Sequence, residues 1–213
     1  NTDEKSIVLL RHNKLKKDII CKKFKGSCET YKLLQNIKFK NLPDIFEVSE
    51  NNGKVIVLEE FINGVTVAEI LHNGLYNEKG VKTVVKDVCD ALSILHSYGI
   101  VHRDIKPENI MITDDGIVKL IDFDASRVFK DGRSKDTIII GTAGYAAPEQ
   151  LGFAQSDERT DIFALGILMN VMLTGEHPSN KLYKGRMTKI IEKCIQLDPQ
   201  KRYRNIGDLK KSL

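Results

Sequence analysis

The sequence predicts an α+β fold, with strands concentrated before about Glu60 and helices after it, on three observations. Ser6-Ile7-Val8-Leu9-Leu10 and Asp18-Ile19-Ile20-Cys21-Lys22 are short β-branched runs on either side of a basic turn from Arg11 to Lys17 and read as two strands. Val81, Val84, Val85, Val88, Ala91, Leu92 and Leu95 recur at three- and four-residue intervals, which makes one apolar stripe on a helix that ends before Gly99. Ile162 to Leu173 is apolar almost all round and stops at Gly175 with Pro178 beyond, the pattern of a helix buried on every side and too short to span a membrane.

The other elements follow in chain order. Val55-Ile56-Val57-Leu58 is a strand that runs into Glu59-Glu60-Phe61-Ile62-Asn63-Gly64. Asn109 to Thr113 and Ile117 to Ile121 are strands joined at Asp114-Asp115-Gly116, where Asp-Gly is a strong hairpin signal. A helix carries Ile190, Ile191, Cys194 and Ile195, and Gly207 to Leu213 forms a last polar helix.

Composition narrows the classes. The 213 residues suffice for a single domain with a sizeable core, and no repeat, signal peptide or membrane span interrupts them. Cys21, Cys28, Cys89 and Cys194 lack metal-site spacing and read as reduced core thiols of a cytoplasmic protein. The net charge is +4, and the cluster Lys14, Lys16, Lys17, Lys22, Lys23 and Lys25 has no interleaved aromatics. It reads as a solvated face, with no nucleic-acid partner.

The hairpin brings chemistry together. With Asp115-Gly116 as the turn, Asp114 faces Ile117 and the ladder sets Asn109 opposite Asp122, at a cross-strand spacing of about 5 Å. Two oxygen-bearing side chains at that separation suit Mg²⁺, which takes one or two carboxylates plus substrate phosphates. The hairpin is preceded by His102-Arg103-Asp104-Ile105-Lys106-Pro107-Glu108-Asn109 and continues into Asp122-Phe123-Asp124, with Ala147-Pro148-Glu149 further on. In order and spacing these stretches resemble the eukaryotic-type (Hanks-type) serine/threonine protein kinases, from about Ile19 to the end of the chain. The D-F-D form and the Asn- and Lys-rich, Trp-free composition point to a bacterial member.

The resemblance implies a two-lobed protein kinase-like fold over residues 1–213, with a small β-rich N-lobe over 1–60 and a hinge and helical C-lobe over 61–213. It implies transfer of the ATP γ-phosphoryl group to Ser or Thr hydroxyls of a protein substrate. Asp104 would receive the hydroxyl proton, Lys106 would stabilise developing charge, and Asn109 and Asp122 would hold Mg²⁺. Lys22 would position the ATP phosphates, with Lys23 the alternative one register away, and Glu29 would be its helix partner. Glu60 and Ile62 in the adenine-binding hinge, together with Met111, complete the nucleotide contacts, and Glu59 falls where a hydrophobic gatekeeper is usual. His102 packs beneath Phe123 and does no acid-base work. Thr142 matches a threonine bonded to the catalytic Asp and Lys, and Arg202 the arginine that pairs with Glu149. Thr137, then Ser134, are candidate phosphorylation sites that Arg103 would pair with.

Two departures stand out. No G-x-G-x-x-G precedes Lys22, and Asn1 to Ser6 holds no glycine and two carboxylates. The expectation is that an upstream strand and loop were removed, leaving an open strand edge near Ile7 to Leu10 for homodimerisation or autophosphorylation in trans, the alternative being a naturally degenerate loop. Asp124 replaces the D-F-G glycine, so the switching of that motif should change while Asp122 still binds metal. The competing class is a pseudokinase scaffold that binds partners without catalysis. A small-molecule kinase is disfavoured by Ala147-Pro148-Glu149.

Overall fold

The computed structural model describes residues 5–13, 16–129, 142, 144–151 and 155–213. The candidate phosphorylation sites Thr137 and Ser134, and Asn1 to Glu4, lie outside them.

The first part of the chain forms an antiparallel four-stranded sheet in the order β1-β2-β4-β3, from β1 (Lys5–His12), β2 (Lys17–Lys25), β3 (Ile45–Asn51) and β4 (Lys54–Glu60). Asn52 and Gly53, both with positive φ (51° and 72°), make the two-residue turn between β3 and β4. One short helix, α1 (Glu29–Leu34), packs on this sheet through Tyr31 and Leu34, both buried. β1 is exposed along its whole length, with Ile7, Val8, Leu9 and Leu10 each more than 40% accessible.

After β4 come β5 (Gly64–Thr66), α2 (Val67–Asn73) and α3 (Glu78–Ser97). Thr66 and Glu69 form a reciprocal capping box that starts α2 directly from the strand. The predicted stripe of α3 is buried in full, and Cys89 joins it. Next come β6 (Ile100–Val101), β7 (Ile110–Thr113), β8 (Val118–Leu120) and β9 (Arg127–Val128). β5, β7 and β8 form a three-stranded sheet, and β6 pairs with β9. Gly64 lets β5 approach β7, since a Cβ there would stand 2.3 Å from the Ile112 carbonyl oxygen. Then α4 (Glu158–Thr174) runs through the core, buried from Thr160 to Asn170 and closed by Gly175 at φ 74°. α5 (Thr188–Cys194) packs on α4, and α6 (Ile206–Ser212) closes against α3.

All four cysteines are buried and unbridged. Burial pushes the Cys89 thiol up to about 12 and that of Cys194 higher, so both are inert core groups. Among the described residues no helix is long and apolar enough to cross a membrane.

The hairpin register differs from the sequence expectation. Ile110 pairs with Leu120, Met111 with Lys119 and Ile112 with Val118, one residue out from the expected ladder. The cause is a three-residue loop. Thr113 N–H donates to the Ile117 carbonyl, Gly116 takes φ 82°, and the Thr113 side chain caps the turn by accepting from Ile117 N–H. Asn109 therefore lies across from Ile121, whose N–H it accepts at 2.9 Å, and Asp122 falls one residue past the ladder with φ 63°.

Candidate active site

The site is built on a single buried carboxylate. Asp161, in the first turn of α4, is fully buried and accepts from the backbone N–H of His102 (3.0 Å) and Arg103 (2.8 Å) and from His96 Nε2 (2.8 Å). Burial alone would raise its pKa, but the hydrogen bonds from His96 and from the Arg103 amide hold it below the usual carboxylate range. These bonds stabilise Arg103 in the left-handed region, φ 70°, a conformation that costs a non-glycine residue on the order of 1–3 kcal/mol. Gln150 adds a bond from Nε2 to the Arg103 carbonyl at 2.8 Å. His102 is the buried core histidine expected, edge-on to Phe123 at 5.3 Å, and desolvation keeps it neutral by lowering its pKa.

This bend presents Asp104. Its carboxylate accepts from Thr142 Oγ1 at 2.6 Å and Asn109 Nδ2 at 2.9 Å, and pairs with Lys106 Nζ at 2.8 Å. Lys106 also donates to Thr142 Oγ1 at 2.7 Å, closing a triangle of Asp104, Lys106 and Thr142. Burial acts to raise the Asp104 pKa, but the hydrogen bonds from Lys106, Thr142 and Asn109 and the lysine charge outweigh it and hold the group ionised. An ionised carboxylate beside a fixed ammonium can orient a hydroxyl, accept its proton and stabilise charge on the group it attacks.

Further along the chain, Glu149 makes a buried cluster of its own. Its carboxylate forms a bidentate pair with Arg202, 2.7 Å to Nη1 and 3.0 Å to Nη2, and accepts from Thr160 Oγ1 at 2.9 Å, all buried. This is the partner expected for Arg202.

Past the hairpin come the two carboxylates of the D-F-D turn. Asp122 is the residue with left-handed φ, and Asp124 is not, so the missing glycine costs no backbone strain in this conformation. Asp124 accepts a hydrogen bond from Tyr31 of α1 at 2.5 Å and pairs with Lys5 of β1 at 2.5 Å. Its burial would raise its pKa, yet the bonds from Lys5 and Tyr31 lower it below the usual range. Lys5 Nζ also stands 3.6 Å from Asp122. A cation at this spot matches the donor set, because Asp122 and Asp124 offer hard oxygens suited to Mg²⁺. Among the described residues no three His, Cys, Asp or Glu side chains form a closed metal cage. Mg²⁺ needs none, since it completes its shell with water and phosphate oxygens.

Lys22 projects from β2 toward this turn, 3.9 Å from Asp122, and is 5% exposed. Its neighbour Lys23 lies on the opposite face and is exposed. The carboxylate that Lys22 meets is Glu59 of β4, at 2.9 Å, and this corrects the expectation of Glu29. Glu29 is the first residue of α1, and the α1 side chain at the lysine is Tyr31, whose ring centroid is 5.9 Å from Nζ. A partner two positions along a neighbouring strand leaves no trace in sequence spacing. Glu60, expected at the hinge, turns its side chain to Lys119 Nζ (2.8 Å) and Asp44 N–H (3.0 Å). Ile62 is buried, and Met111 is half-buried in β7. Sequence reasoning missed Lys5 and Tyr31 as neighbours of the site, and placed Glu59 at the gatekeeper position without its pairing to Lys22.

The family described as the protein kinase domain matches residues 1–206. A probable serine/threonine-protein kinase of Clostridium acetobutylicum is 28% identical over 96% of this chain and 34% of its own length. A probable myosin light chain kinase of Dictyostelium discoideum is 31% identical over 78% of this chain and 48% of its own, and the serine/threonine-protein kinase PknB of Mycolicibacterium smegmatis is 37% identical over 63% and 22%. The chain thus spans less than half the length of these relatives. With a small sheet packed on a helical lobe, a bonded H-R-D loop and the Glu149–Arg202 pair all in place, the chain belongs to the protein kinase domain family.

Proposed function

We propose that the chain is the catalytic domain of a serine/threonine protein kinase, with its lobes meeting near Glu60, and that it transfers the ATP γ-phosphoryl group to protein hydroxyls. The observation that carries this reading is the closed triangle of Asp104, Lys106 and Thr142. In the proposed reaction, Asp104 orients the acceptor hydroxyl and takes its proton, while Asn109 fixes the carboxylate through Nδ2. Lys106 stabilises negative charge on the transferred group. Asn109 Oδ1 and Asp122 hold Mg²⁺, which neutralises phosphate charge when bound. Lys22 orients the phosphates, the main chain of Glu60 and Ile62 meets the adenine, and Met111 lies beneath it. A cytoplasmic location and self-association through β1 belong to the same proposal, the latter supported by the exposure of Ile7 to Leu10.

One observation favours the scaffold reading instead: Lys5 lies on the carboxylates that a metal would need. Mg²⁺-dependent incorporation of labelled γ-phosphate into casein and into the chain itself separates the two. Incorporation that Asp104→Ala abolishes supports the kinase. No incorporation, together with no ATP binding, leaves the scaffold.

A further inference from the structure

In a protein kinase the phosphate lysine is held by a glutamate on a helix, and the lysine loses its partner when the helix swings away. Here the partner is on the sheet. Lys22 pairs in register with Val57, and Glu59 with Ile20, so Glu59 is the diagonal neighbour of Lys22 on one face of the β2–β4 pair. That spacing is within reach of long side chains. Both residues are nearly fully buried, and among the described residues the second Glu59 oxygen, Oε2, has no hydrogen-bond partner, so Lys22 is the group that offsets the buried charge. The helix is tied to the site by a different route, the Tyr31 hydroxyl on Asp124. The ladder between β2 and β4 fixes the spacing of Lys22 and Glu59 whatever the position of α1.

We infer that Glu59 is the positioning residue for Lys22, holding its ammonium toward Asp122 from within the sheet, so that displacement of α1 does not release the lysine. The inference rests on the reading of Lys22 as the phosphate lysine. It also identifies the polar residue at the gatekeeper position as part of the phosphate-binding apparatus.

The test is a binding cycle on the chain carrying no change, Glu59→Gln, Lys22→Ala, or both, with affinities for Mg²⁺-ATP and for adenosine measured by calorimetry. Gln preserves the shape of Glu59, and a thermal melt of each variant checks folding. Glu59→Gln should weaken ATP by about tenfold, as expected for losing a hydrogen bond between charged groups, and leave adenosine within about twofold. In the Lys22→Ala background the same change should have no further effect on ATP. Equal losses for ATP and adenosine, or an undiminished loss in the Lys22→Ala background, would mean a merely structural role and overturn the inference alone. An unchanged ATP affinity in Glu59→Gln would overturn it as well. An unchanged ATP affinity in Lys22→Ala, or no ATP binding by the parent chain, would overturn the reading of Lys22 and the inference with it.

Discussion

Replacing Arg202 with Leu removes a guanidinium that is 4% exposed and fully engaged. Besides its two bonds to Glu149, it donates from Nε to the Gln196 carbonyl (2.7 Å), from Nη1 to the Arg159 carbonyl (2.9 Å) and from Nη2 to the Leu197 carbonyl (3.2 Å). Leucine restores none of these and leaves the carboxylate of Glu149, itself 6% exposed, without its cation while Thr160 still donates to it. Breaking a buried pair from one side costs about 3–5 kcal/mol, mostly from the charge left behind. In a domain of this size each kcal/mol moves the melting temperature by about 2–4 °C, so Tm should fall by about 6–20 °C. Circular dichroism at 222 nm reads this directly. Arg11→Ala, which breaks the exposed Arg11–Asp18 pair, is the control and should cost at most about 1 kcal/mol. Adding Glu149→Leu to Arg202→Leu removes the stranded charge and should recover at least about half of the loss. A fall for Arg202→Leu no larger than that of Arg11→Ala would refute the reasoning, and so would a double variant no more stable than Arg202→Leu alone.

Asp104→Asn should lower phosphoryl transfer by about 10²–10⁴-fold with Tm little changed, read from initial rates of label incorporation; retention of a tenth of the rate would contradict the role given to Asp104. Tyr31→Phe removes a hydrogen bond to a charged partner, about 1.5–3 kcal/mol, and Tm should drop by about 3–12 °C at pH 7. Because Asp124 has a lowered pKa in the folded state, its stabilisation is present above the ordinary carboxylate range and lost as pH falls through the lowered value. Melts at several pH values should therefore show the Tyr31→Phe deficit full at pH 7 and closing below about pH 4, and a deficit independent of pH would contradict the assignment. Lys5→Ala takes a cation from the Asp122–Asp124 turn and should lower the half-saturating Mg²⁺ concentration by about fivefold, the weight of one unit charge near 4 Å in water; no change in a Mg²⁺ titration would remove Lys5 from the site.

The helical half was legible because its information is local. The stripe from Val81 to Leu95 and the all-round apolar run of α4 state their burial residue by residue. The catalytic loop was legible because H-R-D, Lys106 and Asn109 are contiguous. β3 was overlooked, although Asn52-Gly53 after Ile45–Asn51 is a strong hairpin signal and would have revealed it. The hairpin register was missed by one residue because Asp-Gly permits both two- and three-residue loops, and the Thr113 side chain selects the longer. Glu59 in place of Glu29, and the meeting of Lys5, Tyr31 and Asp124, depend on how segments far apart in the chain are brought side by side, which spacing along the sequence does not encode.

Asp161 ties the exchange behaviour of a loop to that of the core. The amide hydrogens of His102 and Arg103 belong to a segment outside any strand or helix, where exchange with solvent deuterium is ordinarily fast. Both are bonded to a carboxylate with no accessible surface on a helix buried from Thr160 to Asn170. To expose them, Asp161 must withdraw, and that requires the opening of α4 itself. These two amides will therefore exchange with the slowest class in the molecule, alongside the centre of α4, and the loop that carries Asp104 opens only with the cooperative unit at the heart of the fold.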